Sequence, residues 1–394
     1  MDLFDKHLNE NAVIARERGI YPYFHELESR QDVEVVMEGK RRIMLGSNNY
    51  LGLTVHPRVV EAGVQALREY GSGCSGSRFL NGTLTLHTSL ERELADFLGK
   101  EAVMTFSTGF QSNLGIISAI CGKNDYVICD RENHASIYDG CKLSYATMLR
   151  YRHNDMEHLE KCLKKVPDTA GILIVTDGVF SMDGNVAPMD KICDLAEKYD
   201  ALVMVDESHS AGVVGATGHG VSELYNTYGR VDIYTGTLGK AFGGALGGFT
   251  TGRKEIIDLL RQRSRPYLFS NSLAPGIIGA SLEVFKMLKE SDALHDKLVE
   301  NVNYFRDKMT AAGFDIKPTQ SAICAVMLYD AKLSQVYAAR MQEEGIYVTG
   351  FYYPVVPKGQ ARIRVQISAG HEKEHLDKCI AAFIKVGKEL GVLK

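Results

Sequence analysis

The 394 residues carry 45% hydrophobic and 24% charged side chains with a net charge of −4. This excludes a disordered chain and, without a basic footprint, a main role in binding nucleic acid. No apolar run reaches the roughly 20 residues that span a bilayer, and the charged start MDLFDKHLNENAVIARERG has none of the apolar core of a secretory signal.

The eight cysteines are scattered without a CxxC pair. They are expected as buried thiols of a cytoplasmic protein, with neither disulfides nor a metal. In chain order, residues up to about 20 read as an amphipathic helix, followed by an extended stretch with Tyr21, Tyr23 and Phe24. VEVVMEGKRRIML reads as a hairpin turning at Glu38-Gly39 and leads into SNNYLGL. From about residue 55 to 290, short runs rich in Val and Ile alternate with helical periods, at 103–106, 126–130, 172–176, 201–206, 231–235 and 246–250. Strands apolar on both faces predict a mostly parallel sheet covered by helices. The interval 231–250 is too short for a crossover helix, which predicts one antiparallel strand there. From about 291, a helix at 293–312, the strand AICAVML, a second helix, the strands GIYVTGFYY and ARIRVQIS and a closing helix at 371–390 read as a smaller α+β domain. The expected division is therefore 1–54 (helix and hairpin), 55–290 (large α/β domain) and 291–394 (small domain).

Ligands of open α/β sheets gather at the carboxyl ends of the strands. After 103–106 comes Ser107-Thr108-Gly109-Phe110, opening a helix whose free N–H groups suit a phosphate, although Ser-Thr-Gly is also ordinary capping chemistry. The next ends carry Asn133-His134, then Asp177-Gly178-Val179-Phe180-Ser181, then Asp206-Glu207-Ser208-His209, and finally Gly236-Thr237-Leu238-Gly239-Lys240. A lone lysine among small residues is usually solvated. A lysine able to form a Schiff base, an aspartate to pair with a pyridine nitrogen, an aromatic ring to stack and hydroxyls for a phosphate together are what a pyridoxal-phosphate site requires. Arg362 and Arg364, two apart in one strand, point to one face. Arg364 suits bidentate carboxylate binding, whereas Arg362 is expected at a surface strand edge.

The ordered motifs SNNYLGL, GSRFLNGT, NHASIYDG, DGVFSMDG, VDESHSAG, GTLGKAFGG, RPYLFSNS and ARIRVQISAGH run over about 330 residues. By them the chain resembles the α-oxoamine synthases, within the fold type I pyridoxal-phosphate transferases. The resemblance implies a mostly parallel seven-stranded sheet and an enzyme that condenses a small amino acid with an acyl-coenzyme A, releasing coenzyme A and carbon dioxide. It implies that Lys240 forms the Schiff base and later acts as base, that Asp206 pairs with the pyridine nitrogen, and that His134 stacks on the ring. Ser181 and His209 would bond the phenolic oxygen, while Thr237, the turn of Thr108, Gly109 and Phe110, and Ser270 of a neighbouring subunit would hold the phosphate. Asn48 and Arg364 would grip the amino-acid carboxylate. A homodimer with shared active sites is implied as well.

Within the family, the part from about 171 onward resembles glycine C-acetyltransferases (2-amino-3-ketobutyrate coenzyme A ligases), notably in LRQRSRPYLFSNSLAP and EGIYVTGFYYPVVPKGQARIR. The part before about 165 resembles bacterial serine palmitoyltransferases, in GIYPYFHELE, GSGCSGSRFLNGT and FSTGFQSNLGIIS. Ser77, before the arginine of the GSR motif, stands where the resemblance places a partner-derived residue near the substrate α-carbon. Glycine-using relatives carry a larger Val or Thr there, so Ser77 leans toward serine or alanine with a medium or long acyl chain. The alternatives are glycine with acetyl-coenzyme A, and a serine that only caps its loop. Ile20 and Pro22 replace the arginine that would bind a succinyl group. An aminotransferase would share Asp206 and Lys240 but release no coenzyme A; a non-catalytic partner subunit would be expected to lack the lysine.

Overall fold

The computed structural model describes residues 13–17 and 24–394. A helical turn at Ile14–Glu17 lies within the expected first helix. The rest of that helix, with Ile20, Tyr21, Pro22 and Tyr23, falls outside the described residues, and Phe24 is exposed. The hairpin forms as read: β1 (Glu34–Met37) pairs antiparallel with β2 (Lys40–Met44). Glu38 at φ +51° and Gly39 at φ +71° make a two-residue turn with both central residues left-handed, the loop that matches strand twist.

The central sheet consists of β3 (Ala102–Phe106), β4 (Tyr126–Asp130), β5 (Thr147–Tyr151), β6 (Ile172–Asp177), β7 (Leu202–Asp206), β8 (Ile233–Thr237) and β9 (Gly248–Gly252), in the spatial order β3-β9-β8-β7-β6-β4-β5. Only β9 runs antiparallel to its neighbours, as the short interval required. Alternate residues feed apolar cores on opposite faces. Val127 and Cys129 of β4, Leu173 and Val175 of β6 and Met204 of β7 enter one core; Ile128, Ile174, Val203 and Val205 enter the other. Each such side chain removed from water contributes roughly 1.5–3 kcal/mol, which is why these strands carry hardly a polar residue before their carboxyl ends.

The remaining strands are β10 (Ile323–Tyr329), β11 (Ile346–Tyr347), β12 (Thr349–Phe351) and β13 (Ala361–Gln366). They form the sheet β10-β13-β12, while β11 adds in parallel to β2. The N-terminal hairpin thus shares a sheet with the C-terminal part of the chain. All eight cysteines are free and seven are buried. Among the described residues no helix is long and apolar enough to cross a membrane.

Three readings shift in the structure. The edge strand β5 was not expected, because its exposed and half-buried residues give no apolar run. Strands β8 and β9 start two residues later than their apolar runs and take in Gly236 and Gly252. Glycine reads as a loop signal, but a Cβ on Gly236 would lie 2.5 Å from the Phe249 ring, so the strand needs glycine there. Arg362 is not at a surface edge: it is 1% exposed, because β13 is the middle strand of its sheet and its arginine face turns inward.

The arginine of the GSR motif has a structural partner of its own. Arg78 is buried against Glu91 on the helix Thr85–Leu98, and Arg261 donates to the same carboxylate at 3.0 Å. Glu91 also accepts the Thr105 N–H of β3 at 3.0 Å. Removing one member leaves the other charge buried and unpaired. Glu91→Ala is expected to lower stability by about 3–5 kcal/mol, seen as a lower denaturant midpoint with an unchanged transition slope.

Candidate active site

The carboxyl edge of the central sheet opens into a cavity of about 240 Å³ lined by Thr108, Gly109, Phe110, His134, Ser181, Asp206, His209, Thr237 and Lys240, together with Asn113, Ser136, Asp177, Val179 and Ser208. Nine residues singled out in the sequence therefore meet in one place. They do so because parallel strands deliver their following loops to the same edge, with Asp177 and Asp206 facing each other in register across β6 and β7.

At the centre, Lys240 Nζ stands 2.9 Å from His209 Nε2. Burial lowers the amine's pKa from 10.5 to about 8, against the opposing pull of Asp206. The His209 imidazole is itself held far below its usual pKa, by burial and by the positive charge of Lys240, so it is neutral. Its Nδ1 lies 2.8 Å from the hydroxyl of Tyr50, which is fully buried. A protonated Lys240 donates to Nε2, which leaves the ring hydrogen on Nδ1 to be given to Tyr50. Beyond Tyr50, Asn48 Oδ1 accepts from Gln366 Nε2 at 2.5 Å and from the Arg364 guanidinium at 3.3 Å. Arg364 Nε is buried without a partner, and no carboxylate among the described residues pairs with this arginine. A buried cation with an orphaned donor is a site for an anion that the chain itself does not supply.

A second chain of contacts fixes the far wall. Asp206 accepts from Asn113 Nδ2 at 2.7 Å and from the Ser208 N–H at 2.9 Å. Asn113 also donates to Ser136 at 2.9 Å, and Ser136 meets His134 Nδ1 at 2.7 Å. His134 caps the helix Ala135–Ser144, and its backbone N–H donates to Asp177 at 2.8 Å. Burial and the neighbouring Asp206 push the Asp177 carboxyl well above its usual range. Two adjacent carboxyl groups thus have different surroundings.

The opposite end is the start of the helix Gly109–Ile120, capped by Thr108. The first N–H groups of a helix lack acceptors within it and favour an anion. Space is tight: a Cβ on Gly109 would lie 3.1 Å from Thr237, and one on Gly248 would lie 2.4 Å from the Thr108 carbonyl. Thr237 donates to the Gly247 carbonyl at 2.9 Å and accepts from the Gly239 N–H at 3.0 Å, which stiffens this end. An amine to bind an aldehyde, a carboxylate placed for a ring nitrogen, a ring at one wall and a helix start for a phosphate fit pyridoxal phosphate. Among the described residues no cluster of three or more His, Cys, Asp or Glu side chains suits a metal ion.

Four expected residues do not line the cavity of their own chain: Asn48 and Arg364 connect to it through Tyr50 and His209, and Ser270 and Ser77 lie apart. Ser270 does not line it; its hydroxyl accepts from Gln111 Nε2 at 3.4 Å. Ser77 is buried and accepts the Leu80 N–H at 3.3 Å as the N-cap of the helix Arg78–Asn81. Sequence reasoning passed over Tyr50, Asn113, Asp177 and Gln366. Tyr50 sat in the quoted SNNYLGL motif and Gln366 two places past Arg364, but nothing local marked Asn113, which reaches the site from within a helix.

A family model described as aminotransferase class I and II matches residues 40–383. The chain is similar to 2-amino-3-ketobutyrate coenzyme A ligase of Salmonella typhimurium, 48% identical over 393 residues that cover 99% of each chain. It is 46% identical over 391 residues to 8-amino-7-oxononanoate synthase of Thermosipho melanesiensis, again covering 99% of each. A solved serine palmitoyltransferase with its PLP internal aldimine superposes over the whole of both chains with a TM-score of 0.95 at 36% identity.

The lowered pKa of Lys240 has a thermodynamic consequence. Between about pH 8 and 10.5 the unfolded chain binds more protons than the folded one, so stability rises with pH across that window. In protein stripped of cofactor the gain is expected to be at most on the order of 3 kcal/mol, and Lys240→Met is expected to flatten it in denaturant titrations at stepped pH.

Proposed function

Because this chain belongs to the aminotransferase class I and II family and is an α-oxoamine synthase, a pyridoxal-phosphate-dependent acyltransferase, we propose that it joins the α-carbon of glycine to an acetyl group carried by coenzyme A. The observation that carries the residue-level reading is the line of contacts from the Lys240 amine through His209, Tyr50 and Asn48 to the unpaired Arg364. It sets a proton-accepting amine and a carboxylate receptor at two ends of one rigid polar chain. The 2-amino-3-ketobutyrate in the name of the 48% relative is the glycine skeleton with an acetyl group on its α-carbon, which favours that pair of substrates.

In this reading Lys240 would anchor the cofactor, Asp206 would hold a proton at its ring nitrogen, and His134 would stack on its ring. Ser181 and His209 would bond its phenolic oxygen, and Thr237 with the Thr108–Gly109–Phe110 turn would receive its phosphate. Bound there, pyridoxal phosphate is the electron sink that makes the α-carbon of the amino acid acidic. Arg364, Asn48 and Gln366 hold the substrate carboxylate. The released Lys240 amine takes the α-proton, and its pKa of about 8 keeps a useful fraction neutral near physiological pH. The α-carbon then bonds to the acyl carbon, the carbon–sulfur bond breaks, and coenzyme A leaves as its thiol; with glycine and acetyl the β-keto acid formed is 2-amino-3-ketobutyrate, its carboxylate retained, and loss of carbon dioxide is a separate, following step. A second cavity of about 470 Å³ adjoins the first through His134 and Ser181 and is walled by Phe180, Met182 and Tyr353 to Pro357. It gives the acyl thioester a route to the reacting carbon.

A second reading, serine or alanine with a longer acyl chain, is favoured by the serine palmitoyltransferase likeness and by the small Ser77. We further propose a cytoplasmic homodimer. Phe79, Leu80 and Phe269 are 79%, 76% and 78% exposed, and the segments flanking the two short helices that bear them are tied by a Ser272 N–H to Gly76 carbonyl bond of 3.1 Å. This apolar patch is flanked by Ser77 and Ser270, the two residues expected to serve a partner's site.

The test is coenzyme A release by the purified protein, with glycine, alanine and serine set against acetyl-, pimeloyl- and palmitoyl-coenzyme A. Release with glycine and acetyl-coenzyme A is expected, and Lys240→Ala is expected to lose about a thousandfold or more. Release only with serine or alanine and a long chain would establish the second reading. Amino transfer to a keto acid without coenzyme A release would overturn both.

A further inference from the structure

Arg362 is the largest side chain so completely buried, at 1% exposure, and it does not line the cofactor cavity. Its guanidinium pairs with Asp183, and the other oxygen of Asp183 accepts from Lys317 Nζ at 3.0 Å. Arg362 Nε is fixed by the Gln360 carbonyl at 2.9 Å. Beside this pair, Thr319 and Ser321 both donate to the Gly184 carbonyl, Ser321 at 2.8 Å. Gly184 has φ +78°, and a Cβ there would come within 2.6 Å of the Ile323 carbonyl. Four residues of the C-terminal part, Lys317, Thr319, Ser321 and Arg362, thus grip the loop 182–184.

That loop is the direct continuation of Val179 and Ser181, which line the cofactor cavity. Two residues along β13 from Arg362, and on the same face, stands Arg364 with its contact to Asn48. One strand therefore carries two inward arginines, one fastened to the cavity wall and the next reaching the polar chain that ends at Lys240. Burying an ion pair is an inefficient way to stabilise a core, because an apolar pair of similar volume does as well or better. What the ion pair adds is direction and register.

We infer that the Arg362–Asp183 pair, backed by Lys317, is a positioning device that sets the register of β13 against the Ser181 loop and so the reach of Arg364 toward the substrate carboxylate. The inference rests on the proposed binding of an amino acid at Arg364. Its members act on the amino acid as positioning residues, since none of them lines the cofactor cavity, although Asp183 does line the adjoining second cavity.

The experiment uses the holoenzyme and reads the amino-acid dissociation constant from the change in cofactor absorbance, alongside KM for both substrates and the thermal midpoint. Asp183→Asn and Arg362→Gln are expected to raise the amino-acid dissociation constant and KM by about 10- to 100-fold, the scale of an ångström's misplacement. In Arg362→Gln, whose residue does not line the second cavity, the KM for the acyl thioester is expected to stay within about threefold, and Arg362→Lys to recover part of the loss. The double variant Asp183→Leu with Arg362→Met restores a packed core without the directional pair; it is expected to keep a wild-type-like midpoint and the weakened amino-acid binding. A folded variant with unchanged amino-acid binding, or losses that scale only with the folded fraction, would reduce the pair to structure alone and overturn the inference. A wild-type spectrum unmoved by any amino acid would overturn the functional reading instead, and this inference with it.

Discussion

Withdrawal of one amine from water is the constraint on which the rest of the site depends. A lysine ammonium loses solvation when it is buried, and Lys240 answers by giving up its proton more easily than a free lysine. That change turns an inert cation into a nucleophile and base near neutral pH. Everything around it must then tolerate both charge states. His209 does so because its neutral ring can accept at one nitrogen and donate at the other, passing the change to Tyr50.

The neighbouring carboxyl groups follow from the same low-dielectric setting. Two carboxylates at the ends of adjacent strands cannot both stay charged cheaply. Asp206 accepts from Asn113 and the Ser208 N–H, while the buried Asp177 has a single backbone donor and its pKa is pushed up. The sheet register that places these residues side by side therefore also separates their roles. Apolar cores on both sheet faces hold that register, since a slipped strand would send its Val and Ile side chains to the wrong side.

The substrate end is built by a different part of the chain. Arg364 and Gln366 come from β13, Asn48 and Tyr50 from the segment after β2, and Lys240 from the turn after β8. These meet because β11 pairs with β2 and the Gln366 N–H donates to the Leu45 carbonyl, which ties the N-terminal hairpin to the C-terminal strands. Arg362 and its contacts with 182–184 are the seam between those strands and the cofactor wall.

The sequence by itself determined the class of fold, the antiparallel strand near 250 and nine of the cavity residues, from Thr108 to Lys240. Alternating apolar runs and the residues that follow them are local signals, and a parallel sheet sends all those ends to one edge. Other features depended on which surfaces meet. The β5 edge strand lacks an apolar run, Gly236 and Gly252 sit in strands where neighbours press close, and Asn113 joins the site from a helix interior. Arg362 shows the same limit: it reads as a surface residue yet is buried by its position in the middle of a sheet. Residue type and spacing announce chemistry, but only tertiary packing decides whether a charge is exposed, paired or left waiting for a ligand, because burial and partners belong to the whole fold.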